Sequence, residues 1–463
     1  MAKRIFYHMF FVVFLTANGT ANERKQMTMT TEKSNNVTIY MAGLGEFTID
    51  WGDSTRIETH TFRTYSTGWF HSFEHRYAHG YSGTYSYTIT IIGENITHLQ
   101  CRDNKLTSLD VSKNTELMYL GLFNNKITNL DISKNTKLTY LGLSDNKITD
   151  LDVNKNIALK ELRCSNNQLT SLDIRNNKTL TNLSCFGNQL TNLDVSNNIS
   201  LTEINCHNNQ LTSIDVSKNT NLIELICGSK ELTSLDVSNN NALIYLACSN
   251  SKLTSLDVSK NTALTNLYCH INKLTCLDVS NNPVLKELRC SYNQLTNLDI
   301  SNNASLTWLN CTNNQLTSLD LCKNIVLKVL ECGENQLTSL NVRYNIALEE
   351  FYCYNNQLTI LDVSKNTKMV RFFCNHNRLT SLDVSKNTWL EEFYCNNNQL
   401  TNLDLSSNTD LTVLSCFSNQ LTSSALNDLF RTLHGSSKRK YMNIDNNPGT
   451  NTCERSIATD KGW

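Results

Sequence analysis

The feature that most restricts this chain is a repeat. From Ile96 the sequence runs in register with a period of 21 residues, L-x-x-L-x-C-x-x-N-x-L-T-x-L-D-V-S-x-N-x-x. Fifteen full copies follow one another to Asp410 without insertion or deletion, and a sixteenth opens at Leu411 and dissolves after Leu421. A lone copy of this length cannot enclose its own apolar residues. Stacked copies can, so the period demands a solenoid in which each coil leans on its neighbours.

Each fixed position has a physical cause. Positions 1, 4, 6, 11, 14 and 16 are apolar and are expected to point inward. Position 4 stays apolar from Leu99 to Leu414 and becomes Phe351, Phe372 and Phe393 in three late copies. Around positions 3 to 5 the side chains alternate with the strand period, which predicts a parallel sheet along one side of the coil. Positions 11 to 17 are too short and too rich in Thr, Asp and Ser for a regular helix. They predict an extended or single-turn convex side.

Two asparagine columns mark the corners. Position 9 is Asn in 14 of 16 copies, among them Asn104, Asn167, Asn293 and Asn398. Its amide donates and accepts, so it can satisfy backbone groups of its own coil and the next. Position 19 is a second column, from Asn114 to Asn408. It suits the other corner, where Asn tolerates left-handed backbone. Lys230 and Ser251 interrupt the first column in adjacent copies. A local bend and simple drift both account for that.

This pattern resembles the leucine-rich-repeat family, in the short bacterial form carried by internalin-like surface proteins. The resemblance covers residues 96 to 424. It implies that the segment at positions 3 to 5 is the concave strand and that partners bind there. The expected fold is a β-rich, right-handed superhelix with a parallel concave sheet. Cysteine replaces the family's leucine at position 6.

The chain has 17 cysteines, and 14 of them occupy position 6, from Cys101 and Cys164 to Cys416. Leu122 and Leu143 fill the same slot, so the slot belongs to the core and cysteine acts there as a small hydrophobe. Adjacent coils are expected roughly 4.8 Å apart, too far for the ~3.8 Å between Cβ atoms that a disulfide prefers. The column therefore predicts buried free thiols. A zinc ladder would need ligands converging tetrahedrally, which stacked thiols do not do. Cys276, Cys322 and Cys453 lie off the column, and pairing Cys276 with Cys322 would strain the coil.

The ends differ from the repeat. Residues 1–21 have the pattern of a signal peptide, with Lys3 and Arg4 ahead of a run from Ile5 to Leu15, apolar except for His8, that is too short to span a bilayer. That implies a secreted, cell-surface or periplasmic protein. Residues 22–95 contain alternating runs at 37–40, 47–51 and 85–92, which predict a small antiparallel β unit. Trp51, Gly52, Asp53, Ser54, His75, Tyr77 and Tyr87 resemble the signature of polycystic-kidney-disease-type β-sandwiches, with the second glycine missing. Asp53 is expected in a turn. The solenoid occupies 96–422 and a C-terminal cap 423–463. Ser423 or Ser424 is placed to cap a helix over residues 425–434, closed by Gly435, with a final strand at 440–445.

No catalytic set emerges. None of the ten histidines lies in H-E-x-x-H, and no nucleophile elbow or phosphate loop occurs. His207 and His270 share position 7 but lie three copies apart, roughly 14 Å, too far to share a metal. The recurrent aspartate at position 15 invites calcium, but adjacent Ser and Thr can bond it instead. No enzyme activity, cofactor or metal is expected. Lys+Arg number 41 and Asp+Glu 42, a balance that argues against nucleic acid as a partner.

The informative positions are those the fold leaves free: 2, 3, 5, 7 and 8. Copies 11 to 15 place Trp308, Tyr352, Tyr354, Arg371, Phe373 and Tyr394 within roughly 20 Å on one face, flanked by Glu350 and Glu392. Aromatics with Arg are frequent binding anchors. The β-propensity of exposed strands would also favour Tyr, Phe and Trp. The sequence thus points to a monomeric solenoid that binds a protein on its concave face, with a glycan as the alternative ligand.

Overall fold

The computed structural model describes residues 25–62, 70–77, 85–435 and 439–463. The signal segment expected over residues 1–21 lies outside them.

The chain opens with an antiparallel unit of β1 (Gln26–Thr31), β2 (Asn36–Asp50), β3 (Glu58–Phe62), β4 (His71–Arg76) and β5 (Tyr87–Gln100). Strand β2 pairs with β3, β4 and β5, and β1 pairs with β5. Two of the expected alternating runs are one strand, β2. Its inward residues, including Val37, Ile39, Phe47 and Ile49, are buried with Met27, Met29, Ile89 and Ile91. Asp53 does stand in a turn: its carboxylate accepts from Thr55 and meets His75 Nε2 at 2.7 Å, while the His75 ring stacks on Trp51.

The last residues of β5, His98–Gln100, pair in parallel with β7 (Tyr119–Gly121). Strand β5 is therefore also the concave strand of coil 1, taken as residues 96–116, and the antiparallel unit and the solenoid share it. Coil 1 adds one further strand, β6 (Leu106–Asp110), which pairs antiparallel with β1.

From there each coil supplies one three-residue strand at positions 3 to 5, from β7 through β21 (Val413–Ser415). Neighbours pair in parallel with an unbroken offset of 21, as in Leu162↔Leu183 and Leu183↔Ile204. Position 4 faces inward and is buried in every coil, while positions 3 and 5 face outward. The fourteen position-6 cysteines are fully buried free thiols. Among the described residues the convex side has turns and no regular helix before residue 423.

The two corners are built differently. At position 9 the side chain closes the turn. Asn293 Nδ2 donates to Cys290 O and to Cys269 O of the preceding coil, both at 3.0 Å, and its Oδ1 accepts from Leu274 N at 3.0 Å. Position 8 beside it is left-handed, from Asp103 (φ 58°) to Ser418 (φ 51°). This corrects the expectation that position 19 holds the left-handed residue. At position 19 the backbone makes its own turn: Asn282 N donates to Val279 O and Leu285 N to Asn282 O. The Asn282 side chain is left to reach back, donating to Val258 O and Asn261 O. Its Oδ1 is buried without a hydrogen-bond partner, as it is along this whole column.

Coil 7 departs from the pattern. With Lys230 at position 9, Ser229 leaves the left-handed region that position 8 occupies in the other coils. Ser229 N donates instead to Ser251 Oγ, and Leu232 N to Ser229 O. The backbone closes on coil 8, so that a Cβ at Gly228 would lie 2.0 Å from Ser249 O. The interruption is a local reshaping of one corner.

Both ends continue the position-9 column. At the front, β2 stands in for a preceding coil: Asn104 Nδ2 donates to Thr38 O, and its Oδ1 accepts from Thr38 N. At the back, helix α1 (Ser423–Thr432) replaces the convex side of coil 16. Thr422 caps it, one residue earlier than expected, and it ends before Leu433 rather than at Gly435. Lys461 Nζ covers its last carbonyls, Phe430, Arg431 and Leu433. Strand β22 (Tyr441–Asn443) then pairs in parallel with β21, Val413↔Tyr441, an offset of 28 that absorbs the helix. Asn447 donates to Cys416 O and Ile444 O and accepts from Leu421 N. The expected closing strand is thus the start of a seventeenth coil. A short helix, α2 (Ser456–Thr459), packs against α1, and Trp463 Nε1 donates to His434 O.

Candidate concave binding face

Parallel strands in exact 21-residue register put equivalent side chains of successive coils side by side. Position 3 of one coil also lies diagonally near position 5 of its neighbours. That geometry sorts the expected site residues into groups.

Glu350, Arg371 and Glu392 are adjacent at position 3 of coils 13 to 15. The Arg371 guanidinium bridges both acids, Nη1 to Glu350 Oε1 at 2.6 Å and Nε to Glu392 Oε1 at 3.2 Å. Those bonds, Glu392 first, raise the guanidinium pKa further. Tyr352, Phe373 and Tyr394 form the matching row at position 5. Their centroids lie 4.9 Å and then 4.2 Å apart, and Tyr352 OH donates to Glu350 Oε2. Burial, then the bond to Glu350, raises the Tyr352 hydroxyl above the usual phenol range. The result is a continuous row of mutually tilted rings beside a fixed row of charges.

Trp308 stands apart from this group. It belongs to a second cluster in coils 9 to 12 that sequence reasoning did not assemble. Its Nε1 donates to Glu331 Oε1 at 3.0 Å, and Asn310 Nδ2 donates to Glu331 Oε2. Arg289 lies between two rings, 4.8 Å from the Tyr268 centroid and 4.6 Å from Trp308, and pairs with Glu287. Burial pushes the Glu331 carboxyl up despite the Trp308 N–H and Arg289. The signal that could have found these residues is the diagonal: Trp308 at position 3 meets position 5 of coil 10 (Arg289) and of coil 12 (Glu331).

Tyr354 at position 7 joins neither cluster. Its ring lies over Gly333, where a Cβ would come within 2.8 Å of it. The same device recurs at the front of the sheet, where Phe123 lies over Gly142 and Tyr119 and Tyr140 stack 4.2 Å apart. Of the histidines tested for a metal, His207 stacks on Phe186 and His270 meets Ser249 Oγ. The position-15 aspartates accept from position 17, as Asp257 does from Ser259 N, and its bonds to Ser259 hold the Asp257 carboxyl below its usual range. Among the described residues no group of His, Cys, Asp and Glu is arranged to hold a metal ion, and no helix is long and apolar enough to cross a membrane.

All eight expected site residues are half-buried on the outer face, while the inward partners of the same strands, Leu309, Phe351, Phe372 and Phe393, are fully buried. The ion pairs here are worth only about 0.2–1 kcal/mol each and the ring contacts about 0.5–1.5 kcal/mol. The fold's stability therefore resides beneath this surface rather than on it.

A parallel strand per coil, an inward leucine row and asparagine-closed corners define a leucine-rich-repeat solenoid. No protein-family model and no curated protein matches the sequence. Solved structures do. The functional domain of InlJ from Listeria monocytogenes, which includes a cysteine ladder, is 37% identical, with 72% of this chain and 70% of that one covered and a TM-score of 0.61. A leucine-rich-repeat protein of Leptospira interrogans is 24% identical, covering 75% and 96%, with a TM-score of 0.57. The plant peptide hormone receptor RGFR1, in complex with RGF2, shares the fold at 20% identity, covering 77% and 66%, with a TM-score of 0.62. The chain belongs to the internalin-type leucine-rich-repeat family.

Proposed function

We propose that this protein is a non-catalytic binding solenoid, secreted or held at the cell surface or in the periplasm, which captures a protein partner on its concave face. The observation that carries this is the row of Tyr352, Phe373 and Tyr394 beside Glu350, Arg371 and Glu392. The inward ladder and the corners would be satisfied by other residues at these positions. Fixed aromatic rings with an arginine that bridges two carboxylates make a surface already ordered before a partner arrives, which lowers the entropic cost of association. The antiparallel unit ahead of the coils closes the column at Asn104, and we read it as a cap of the polycystic-kidney-disease type.

The test is the combined variant Trp308→Ala, Tyr352→Ala, Phe373→Ala, used in a pull-down against host-protein extract and on a glycan array. The expected outcome is protein capture by the parent, its loss in the variant, and a variant that stays folded with a modestly lowered thermal midpoint. Unchanged capture would remove this face from the function. A glycan signal that disappears with the same variant would replace the protein partner by a carbohydrate.

A further inference from the structure

Charge is distributed over the coils with a strong asymmetry. Lysine occurs at none of positions 3, 5, 7 or 8 in the sixteen copies, although it fills position 18 in eight of the first fifteen. Glutamate does the opposite. Positions 3 and 5 hold seven glutamates against three arginines, Arg163, Arg289 and Arg371, a surplus of four negative charges. Every one of those arginines is already paired with a glutamate of the same face. Glu203, Glu224 and Glu331 have no Lys or Arg within ion-pair distance among the described residues. Glu203 and Glu224 lie directly opposite each other on adjacent strands, an arrangement that costs stability when neither is neutralised.

The same face shows what it accepts. The Arg289 guanidinium rests between the rings of Tyr268 and Trp308, with Glu287 beside it. Stacked rings edged by carboxylates favour a planar cation, which gains cation–π attraction on its faces and bidentate bonds at its edge. Beyond that slot the rings of Tyr352, Phe373 and Tyr394 touch one another rather than enclosing a cation, and none is stacked on them among the described residues.

We propose that the partner segment held by the concave face is an extended, arginine-rich stretch of polypeptide that runs along the coils, its cations meeting Glu203, Glu224 and Glu331. This rests on the concave face being the binding surface, as proposed above. The dimensions set the length. Glu203 and Glu331 are six coils apart, about 29 Å at roughly 4.8 Å per strand, which an extended chain spans in about nine residues. Opposite charge on the two sides would also speed encounter and make it sensitive to salt.

The experiment uses the full chain with fluorescein-labelled nona-arginine and nona-glutamate as probes, read by anisotropy at two salt concentrations. Nona-arginine is expected to bind, more weakly at high salt, and nona-glutamate not to. The variant Glu203→Gln, Glu224→Gln, Glu331→Gln is expected to weaken nona-arginine at least tenfold. The convex variant Asp257→Asn, Asp278→Asn, Asp299→Asn removes the same charge and is expected to change it less than twofold. Equal weakening by both variants would reduce the effect to net charge and overturn the proposal. So would binding of nona-glutamate as tight as that of nona-arginine. If a neutral or acidic partner is instead captured and then lost with Trp308→Ala, Tyr352→Ala, Phe373→Ala, the concave site stands and the cationic partner falls.

Discussion

The two corners of each coil use the same short motif and solve different problems with it. One runs Cys-x-x-Asn over positions 6 to 9, and the other runs Val-x-x-Asn over positions 16 to 19. In both, the asparagine donates to the apolar residue's carbonyl in the preceding coil. They part at the backbone. The first corner goes left-handed at position 8, so its own turn must be closed by the side chain, which uses both ends of the amide. The second closes its turn with backbone bonds and leaves the amide oxygen buried and idle. The difference shows that an identical residue at a fixed spacing says little about its task until the backbone beside it is known. The columns also differ in how strictly they are kept. The first, at the edge of the convex turn, is broken at Lys230 and Ser251. The second, buried within the wall, holds asparagine in all fifteen full copies.

The largest expected difference between the corners appears at alkaline pH, because one contains thiols and the other valine, isoleucine or leucine. Burial pushes Cys164, Cys206 and Cys290 up to about 12 from an ordinary 9.0. Below that ordinary value both folded and unfolded thiols keep their protons, and stability is whole. Above it the unfolded thiols ionise while the folded ones do not. Stability then drains between the two values, by about 1.4 kcal/mol per pH unit for each thiol involved. Thermal midpoints in reductant are expected to fall steeply from pH 8 to 10.5, and less steeply in Cys290→Val. A flat profile would mean that the thiol column does not govern the first corner.

A direct comparison comes next. Asn293→Leu leaves Leu274 N unpaired and takes one of two donors from Cys269 O and from Cys290 O, which keep Asn272 and Asn314, whereas Asn282→Leu takes one of two donors from Val258 O and from Asn261 O, which keep the backbone N–H groups of Asn261 and Leu264, and removes an idle oxygen. At about 1–3 kcal/mol for a buried group left unpaired and about 0.5–1.5 kcal/mol for each other bond lost, the first is expected to cost about 2–6 kcal/mol and the second about 1–3 kcal/mol. Urea midpoints would show it. Equal losses would mean that the idle oxygen is not idle.

The smallest effects are gains. Lys230→Asn offers coil 7 the missing amide, and Ile271→Asn relieves a β-branched residue at φ 55°. Each is expected to add about 1 kcal/mol. Differential scanning calorimetry would register either, and a loss at residue 230 would mean that the reshaped coil has found its own better packing.

Much of this was legible in the sequence, for a physical reason. A 21-residue period leaves one way to stack inward leucines, so strand position, parallel register and thiol burial followed from spacing alone. The left-handed residue was misplaced because Asn prefers that conformation. Here the job falls to position 8, where Asn, Asp or Gly stands in ten of the fifteen left-handed coils and Ile, Tyr, Glu, His or Ser in the rest, a weaker signal than the unbroken asparagine column at position 19. The helix cap at Thr422 was missed by one residue because three hydroxyl side chains stand in a row. On the concave face the aromatics were found, but Arg289 and Glu331 were not, since their partnership with Trp308 depends on diagonal contacts between coils that a position-by-position comparison does not display.

The shared strand β5 has a mechanical consequence. It is at once the last strand of the antiparallel unit and the first rung of the coil, so tension applied at the front passes into the solenoid through continuous backbone. The rungs lie across the long axis, and a pull along that axis loads the bonds of one seam at a time. Coils would peel away singly, each releasing 21 residues, about 70 Å of slack. A molecule built this way yields in even steps under load, lengthening like a tether while its unpeeled coils keep their concave face intact.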